Sequence, residues 1–451
     1  SASGRAISTY CVSYAKRDPL MSLSLDIAPQ ASKEFTVPVN GLKARPGTEY
    51  FVNFSVIAVE PEPLIPAGYE IAYDQFRLPV EAERNTYKAN GPALQTQTQG
   101  DELTVSSSKV NFVFNKKSGL VTSYKVDGTE YFKDGFGIQP NFWRAPNDND
   151  YGNGAPKRLH VWKQSSKDFH VTDTKVSTED KAVLLQATYL LAAGNLYVVT
   201  YKIYPSGIVH VNAKFTSTDM QAAETEVSEA TRMATFTPGS DAARKAASKL
   251  EVPRIGVRFR LPAQMNNVQY FGRGPEENYI DRNHGTMVGI YQTTADKMYF
   301  NYVRPQENGH HTDTRWLNLS PDKGNGLVIV ADSLIGFNAL RNSVEDFDSE
   351  EALPHPYQWN NFSPEEATNH DEKAARNVLR RMHHVNDITP RDFVEVCVDM
   401  KQQGVGGYDS WGARPEPFHQ IPANREYNWG FTLVPVRSGS QATEATKYDY
   451  R

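Results

Sequence analysis

The residue types best suited to chemistry lie in four short stretches of the 451-residue sequence. One stretch, residues 302–316, reads YVRPQENGHHTDTRW and places Glu307 near His310 and His311. A histidine and a carboxylate together could act as general acid and base on a sugar. Adjacent residues of a strand point to opposite faces, so the two histidines cannot both face one site. A structural role for these residues is therefore favoured over a catalytic one.

A second stretch, NFWRAPNDNDYG at residues 141–152, alternates asparagine and aspartate. Oxygen ligands of this kind suit calcium, and Asp148 and Asp150 would be the first candidates. The EF-hand pattern is not met, however, because a glycine at loop position 6 and a correctly placed terminal glutamate are both missing. Asparagine and aspartate also build tight turns by bonding nearby backbone, and this interpretation is favoured.

Carboxylates and arginines are interleaved in a third stretch, YFGRGPEENYIDRNHGTMVGIY, at residues 270–291. Glu276 and Glu277 are adjacent and would point to opposite faces of an extended chain, so they do not by themselves form an acid–base pair. Arg273 and Arg282 could neutralise them as buried ion pairs. We expect a structural polar network here.

The fourth stretch, GVGGYDSWG at residues 404–412, places Trp411 beside Asp409 and Ser410 on glycine-rich backbone. Glycine clusters mark backbone that turns sharply or is approached closely. An exposed tryptophan can stack on the C–H face of a sugar while a neighbouring carboxylate binds its hydroxyl groups. Alternatively, Trp411 could fill the end of a β-sandwich, and the residues alone leave both roles open.

The elements that must position these stretches are mostly strands. Period-2 patterning with proline and glycine punctuation predicts a small immunoglobulin-like β-sandwich over residues 1–84. Residues 85–101 are polar and predict a linker. One large antiparallel sandwich is predicted over 102–437, and residues 438–451 read as a frayed polar tail. Helices are expected in two further segments, residues 240–250 and 363–384.

Bulk properties exclude several classes of protein. A net charge of −5 argues against a general nucleic-acid binder, and no apolar run is long enough to span a membrane. Cys11 and Cys397 match no metal or redox motif and are interpreted as unpaired thiols. Residues 1–10 lack the features of a secretory signal, which leaves the compartment open between cytoplasm and periplasm.

Taken together and in this order, the stretches FWRAPNDNDYG, GRGPEENYIDR, YVRPQENGHHTDTRWL and GVGGYDSWG carry a family resemblance. They resemble the C-terminal region of the large bacterial β-galactosidases of glycoside hydrolase family 2. PAGYEIAYDQFRLP, at residues 66–79, resembles the end of the immunoglobulin-like domain that precedes that region. The resemblance extends from about residue 10 to 436.

The resemblance implies a five-domain enzyme of which this chain contains the last two domains. The expected fold is all-β, an immunoglobulin-like sandwich followed by a supersandwich related to the sugar mutarotases. The family's catalytic glutamates lie in a TIM barrel, which also binds most of the Mg and Na ions. We therefore expect no catalytic residue, metal ligand or cofactor on this chain. The expected partners are a β-galactoside, the remaining domains of the same enzyme and further copies of it.

In the family, the tryptophan of the glycine-rich loop reaches the mouth of the barrel and stacks on the sugar in the aglycone subsite. The resemblance assigns this role to Trp411, with Asp409 and Ser410 as neighbouring substrate contacts. Tyr408 departs from the aspartate that many members carry, and ENGHH departs from the usual pattern. Two other functions remain open from the sequence: an aldose epimerase that uses His310 or His311 with Glu307, and a non-catalytic carbohydrate-binding module.

Overall fold

Extended backbone dominates this chain, as its period-2 patterning predicts. In the computed structural model the strands are antiparallel apart from one short parallel pair. The all-β prediction is confirmed. The structure describes residues 5–13, 16–25, 27–37, 41–217, 251–348, 384–409, 412–437 and 442–451.

The chain divides into two compact units, the first made of Ser1–Tyr87, Met287–Ile290 and Thr443–Tyr450. Its main sheet has four antiparallel strands in the order β2–β1–β3–β4. Tyr50, Phe51 and Val52 are its most buried residues, and the rings of Phe54 and Phe76 pack edge to face 5.8 Å apart. These strands are β1 Arg5–Ser13, β2 Lys16–Leu25, β3 Tyr50–Ile57 and β4 Glu70–Leu78.

The second unit contains Lys88–Thr286 and Tyr291–Ala442 and is built from two sheets. The smaller sheet has the order β10–β9–β8–β7–β6. It consists of β6 Gln95–Gln99, β7 Glu102–Ser106, β8 Val110–Asn115, β9 Leu120–Val126 and β10 Thr129–Glu130.

The larger sheet has twelve strands, and nine of them follow the path β11–β16–β21–β20–β22–β15–β14–β13–β12. A branch adds the other three, because β19 pairs with both β20 and β17, and β17 pairs with β18. The strands are β11 Gln139–Asn141, β12 His170–Glu179, β13 Ala182–Leu190, β14 Leu196–Ile203, β15 Val209–Thr216, β16 Arg254–Pro262, β17 Asn267–Gly274, β18 Met287–Thr294, β19 His311–Ser320, β20 Gly326–Leu340, β21 Phe393–Gln402 and β22 Tyr427–Val436.

Aromatic side chains fill the core of the second unit. Burial alternates residue by residue along β8 and β14, as expected for strands with one face against a core. Phe112 on β8 lies 5.5 Å from Tyr201 on β14, and Phe114 lies 6.2 Å from the same ring. Truncating a buried aromatic of this kind to alanine typically costs about 3–5 kcal/mol. The two sheets therefore share one well-packed core.

Turn chemistry accounts for two of the hairpins. Asp127 and Gly128 both have positive φ, at 49° and 80°, and connect β9 to β10. This is the backbone of the tight hairpin turn that Asp-Gly favours. Pro205-Ser206-Gly207 likewise joins β14 to β15, and Tyr124 donates its hydroxyl proton to the Gly207 carbonyl at 2.7 Å.

Two polar segments differ from what their composition indicated. Gln95–Gln99, within the expected linker, forms the edge strand β6, whose side chains are all exposed and whose backbone pairs with β7. Within the expected tail, strand β23 Tyr448–Asp449 pairs in parallel with β5 Asn85–Thr86. The Tyr87 and Tyr450 rings lie 5.0 Å apart, and Tyr450 is buried, so aromatic packing orders this end.

Helices are short wherever the structure describes the chain. Three follow one another ahead of β12: α1 Asp148–Gly152, α2 Ala155–Arg158 and α3 His160–Ser165. Sequence patterning missed them because one or two turns are too short to show a helical period. The helices expected at 240–250 and 363–384 fall almost wholly outside the described residues. No helix of the described part is long and apolar enough to cross a membrane.

Candidate functional site

A carboxylate that is distant in the sequence hydrogen-bonds the backbone at the start of the glycine-rich loop, residues 404–413. Asp281 accepts hydrogen bonds from the backbone N–H of Val405 at 3.0 Å and of Gly406 at 2.9 Å. A Cβ at position 404 would lie 2.4 Å from Asp281 Oδ2, so a side chain there would displace the carboxylate. Gly404 is thus required by the close approach of Asp281.

The aspartate–asparagine stretch holds the same loop from another direction. The Asn147 amide donates to the Val405 carbonyl at 3.1 Å. The Asn149 amide is oriented with its oxygen toward Gly407 and its nitrogen toward Asp409. It accepts from the Gly407 N–H at 3.0 Å and donates to the Asp409 carbonyl at 3.3 Å. Two of the four stretches found in the sequence therefore position a third.

Backbone conformation in the loop also depends on glycine. Gly406 has φ of 72°, and a Cβ there would lie 2.5 Å from the Ala413 carbonyl oxygen. The two limbs of the loop consequently approach backbone to backbone. Any other residue at 406 would have to adopt a left-handed conformation and push the limbs apart.

Asp409 links the two limbs across the tip. Its Oδ1 accepts from Gly412 N–H at 3.0 Å and from Ala413 N–H at 2.8 Å. Tyr408, next to it, is 77% exposed. The predicted substrate contacts Ser410 and Trp411 lie outside the described residues, between these anchored positions.

The carboxylates considered for calcium have other partners. Both oxygens of Asp150 accept from Arg144, at 2.9 and 3.0 Å, and Asn147 and Asp150 form the capping box of α1. Arg144 also donates to the Gln403 carbonyl at 2.6 Å, directly before the loop. Asp148 lies at the surface, 3.6 Å from Arg304. The turn-forming interpretation fits these contacts.

The glutamate–arginine stretch forms a polar network, with one partner different from that expected. Glu277 pairs with Arg282 at 2.8 Å and accepts from the Gly309 N–H at 2.7 Å. Arg273 pairs instead with Asp313, at 2.5 Å, while Glu276 is exposed. The partner of Arg273 could not be read from spacing because Asp313 comes from a different strand.

The two histidines and Glu307 are enclosed in the second unit and do not form a catalytic pair. Glu307 pairs with Arg254 at 3.0 Å. The ring of His310 stacks on Tyr279, and its Nδ1 lies 3.0 Å from Asn338 Oδ1. Burial, assisted by the charge of Arg254, lowers the pKa of His310 to about 3. Neither histidine is more than 2% exposed, so a sugar cannot reach them in this structure.

The sequence did not single out Asp281 as an anchor or Arg254 as the centre of a buried network. Arg254 is fully buried and lies 3.1 Å from Asp399. A signal for Asp281 was present, since it belongs to a stretch that was examined, but its contact spans 124 residues. Among the described residues no group of three or more histidine, cysteine, aspartate or glutamate side chains could hold a metal ion.

These features define an all-β protein whose charged and amide side chains hydrogen-bond the backbone of a glycine-rich loop. Comparison with known families assigns the class more closely. Residues 106–433 match the family described as "Beta galactosidase small chain", and residues 10–79 match "Beta-galactosidase, domain 4". The chain therefore belongs to the β-galactosidase small-chain family, and the resemblance stated from the motifs is confirmed.

Curated relatives agree with this assignment. The chain is 31% identical over 415 residues to a β-galactosidase of Priestia megaterium, with 91% of this chain and 34% of the relative covered. It is 25% identical to a β-galactosidase of Streptococcus thermophilus, again over 91% of this chain and 34% of the relative. The chain thus spans about a third of the length of these relatives and corresponds to their C-terminal part.

Solved structures with a similar course of the chain include a galactose 1-epimerase from Lactobacillus acidophilus. The TM-score is 0.37 at 8% identity, with 78% of this chain and 99% of that chain covered. Similarity at this level supports no conclusion about activity.

Proposed function

We propose that this chain is the C-terminal part of a retaining β-galactosidase and completes the aglycone side of its active site. In such an enzyme two carboxylates, supplied by the barrel, cleave terminal β-galactosides through a covalent intermediate. The chain's own contribution is the loop 404–413. Trp411 offers the flat apolar surface on which the sugar beyond the scissile bond stacks.

The observation that carries this proposal is how the loop is held. Three side chains from two distant segments of the sequence, Asp281, Asn147 and Asn149, bond the backbone of residues 405–409. A loop that only filled the end of a sandwich would need packing and not a set of polar anchors. Anchored backbone lowers the entropy lost when a ligand binds, which is what a sugar platform requires.

Asp409 and Ser410 are the proposed neighbours of the sugar hydroxyl groups. Asp409 Oδ1 already accepts two hydrogen bonds from the loop, so this residue also fixes the shape of the tip. The parent enzyme is proposed to use Mg and Na held mainly by the barrel. No step is assigned to a metal or other cofactor on this chain. Assembly with the remaining domains and with further copies of the enzyme is part of the same proposal.

An aldose epimerase is not favoured by this geometry. That reaction needs an acid–base pair open to the sugar ring. Glu307, His310 and His311 are each at most 7% exposed, and Glu307 is committed to Arg254.

The proposal is tested by kinetics in a protein that joins this chain to the barrel-containing part of the enzyme. Trp411→Ala should raise KM for a galactoside with an aromatic or sugar aglycone and weaken transfer to acceptor sugars. Loss of one stacking contact of this kind is worth about 0.5–1.5 kcal/mol beyond area burial. Phe418→Ala, at an aromatic that is 72% exposed and lies outside the loop, is the control.

Stability measurements separate the two roles of Trp411. In a sugar platform on an exposed loop, Trp411→Ala should change the free energy of unfolding of the chain by less than about 0.5 kcal/mol. A loss of about 3–5 kcal/mol with unchanged kinetics would instead make Trp411 a core residue and refute the proposal.

A further inference from the structure

A polar groove of about 400 Å³ lies in the second unit and shares no residue with the loop 404–413. Its walls come from β17, β18, β19, the turn that follows β19, and the end of β22. The volume lies within the range of about 300–1,000 Å³ that is usual for small-molecule sites. It is large enough for a disaccharide.

Amide side chains line the floor of this groove in register. Gln269 on β17 lies directly opposite Asn318 on β19, and Asn267 lies directly opposite Ser320. Residues that are opposite across an antiparallel pair project from the same face about 5 Å apart. Gln292 on β18 extends the polar row. The outcome is a set of closely spaced groups that can each donate and accept hydrogen bonds.

These groups have unused hydrogen-bonding capacity. Asn318 Oδ1 is buried and accepts no hydrogen bond within the described part of the chain. In the same part of the chain, no hydrogen bond is recorded for the amides of Gln269 or Gln292, whereas Asn267 donates to Asp322 at 2.9 Å. Because Asn318 Oδ1 is closed to solvent, the amides of Gln269, which is half-buried, and Gln292, which is exposed, are the groups that a ligand in the groove would contact.

We propose that this groove binds a neutral oligosaccharide, as a second carbohydrate site independent of the loop 404–413. Sugar hydroxyl groups donate and accept, which matches amides better than it matches charged side chains. The charged residues of the lining, Asp322 and Arg437, have opposite signs and are both exposed. The site therefore offers no net charge to select an ionic ligand.

The test is a titration of the 451-residue chain with lactose, followed by saturation-transfer NMR and calorimetry. Gln269→Leu and Gln292→Leu should each weaken lactose binding about 3- to 10-fold, the loss expected for one uncharged hydrogen bond. Gln186→Leu is the matched control, since Gln186 also lies on a strand but outside the groove, bonded to Thr200. Its lactose affinity should equal that of the unmodified chain, and thermal unfolding should show all three variants folded.

Other results would overturn the proposal. Absence of lactose binding, or equal affinity in all of these variants, would show that the groove does not bind the sugar. Binding of inorganic phosphate that is lost in Arg437→Gln, with no binding of lactose, would assign it to anions. Lactose binding that is lost in Trp411→Ala and kept in Gln269→Leu would place the sugar at the loop, so failure here is distinguishable from failure of the proposed function.

Discussion

Asp281 offers a direct test of how the loop 404–413 is held. Its two carboxylate oxygens each accept one backbone N–H, from Val405 and Gly406. Asp281→Asn keeps one acceptor and turns an NH₂ group toward the other N–H. The variant therefore loses one charge-assisted hydrogen bond, worth about 1.5–3 kcal/mol, and leaves one backbone donor without a partner.

This loss should appear as local opening of the loop and not as unfolding of the sheets, because Val405 and Gly406 lie outside the strands. At about 1.4 kcal/mol per factor of ten, amide hydrogen exchange of Val405 and Gly406 should accelerate about 10- to 150-fold. Exchange in β20 and β22 should not change. Mass spectrometry of peptides from each region measures both.

Asp392→Asn is the control, since the Asp392 side chain is 85% exposed and pairs with Lys133 at the surface. Its exchange profile should match that of the unmodified chain. Equal loop exchange in Asp281→Asn and the unmodified chain would show that Asp281 does not hold the loop. Faster exchange spread over the large sheet would show that its role is in the core.

Two further predictions concern backbone conformation and pH. Gly406→Ala should destabilise the loop by about 1–3 kcal/mol, measured as faster amide exchange in the loop. Gly100→Ala is the control, because Gly100 also has positive φ but has open space around it, and it should cost about 1 kcal/mol or less. The pKa of His310 is lowered to about 3 in the folded chain. Below about pH 6.5 this histidine is therefore protonated in the unfolded chain while it stays neutral in the folded chain. The stability of the unmodified chain should therefore fall more steeply between pH 6.5 and 4 than that of His310→Gln, by up to about 1.4 kcal/mol per pH unit. Arg254 and Asp399 face His310 in the unmodified chain, and chemical denaturation at each pH measures the two slopes.

Local chemistry explains how much of the fold could be predicted. Alternation of apolar and polar residues, visible along β8 and β14, predicted the all-β fold, and the Asp127-Gly128 turn is a signal of the same local kind. Such signals need only neighbouring residues. The edge strand β6 was missed because its backbone bonds to β7 require no apolar side chain.

The site was predictable in its parts and not in its arrangement. The four stretches were recognised by composition, yet the contacts of Asp281 and Asn147 with the loop join residues 124 and 258 positions apart. Spacing carries no information about such contacts, since topology decides which segments meet. The same reason explains why Arg273 was expected to neutralise a glutamate but pairs with Asp313.

The proposed function gives a physical reason for a large aromatic in a glycine-rich stretch. Glycine allows the limbs of the loop to approach closely at Gly406, but it also increases the entropy lost on ordering. Asp281, Asn147 and Asp409 offset that loss by bonding the loop backbone directly. In that proposal, the side chains of the loop are then left to contact the sugar. Substitutions at Asp281 and Asn147 should therefore affect sugar binding as strongly as substitutions at the tip, although these two residues lie outside the loop.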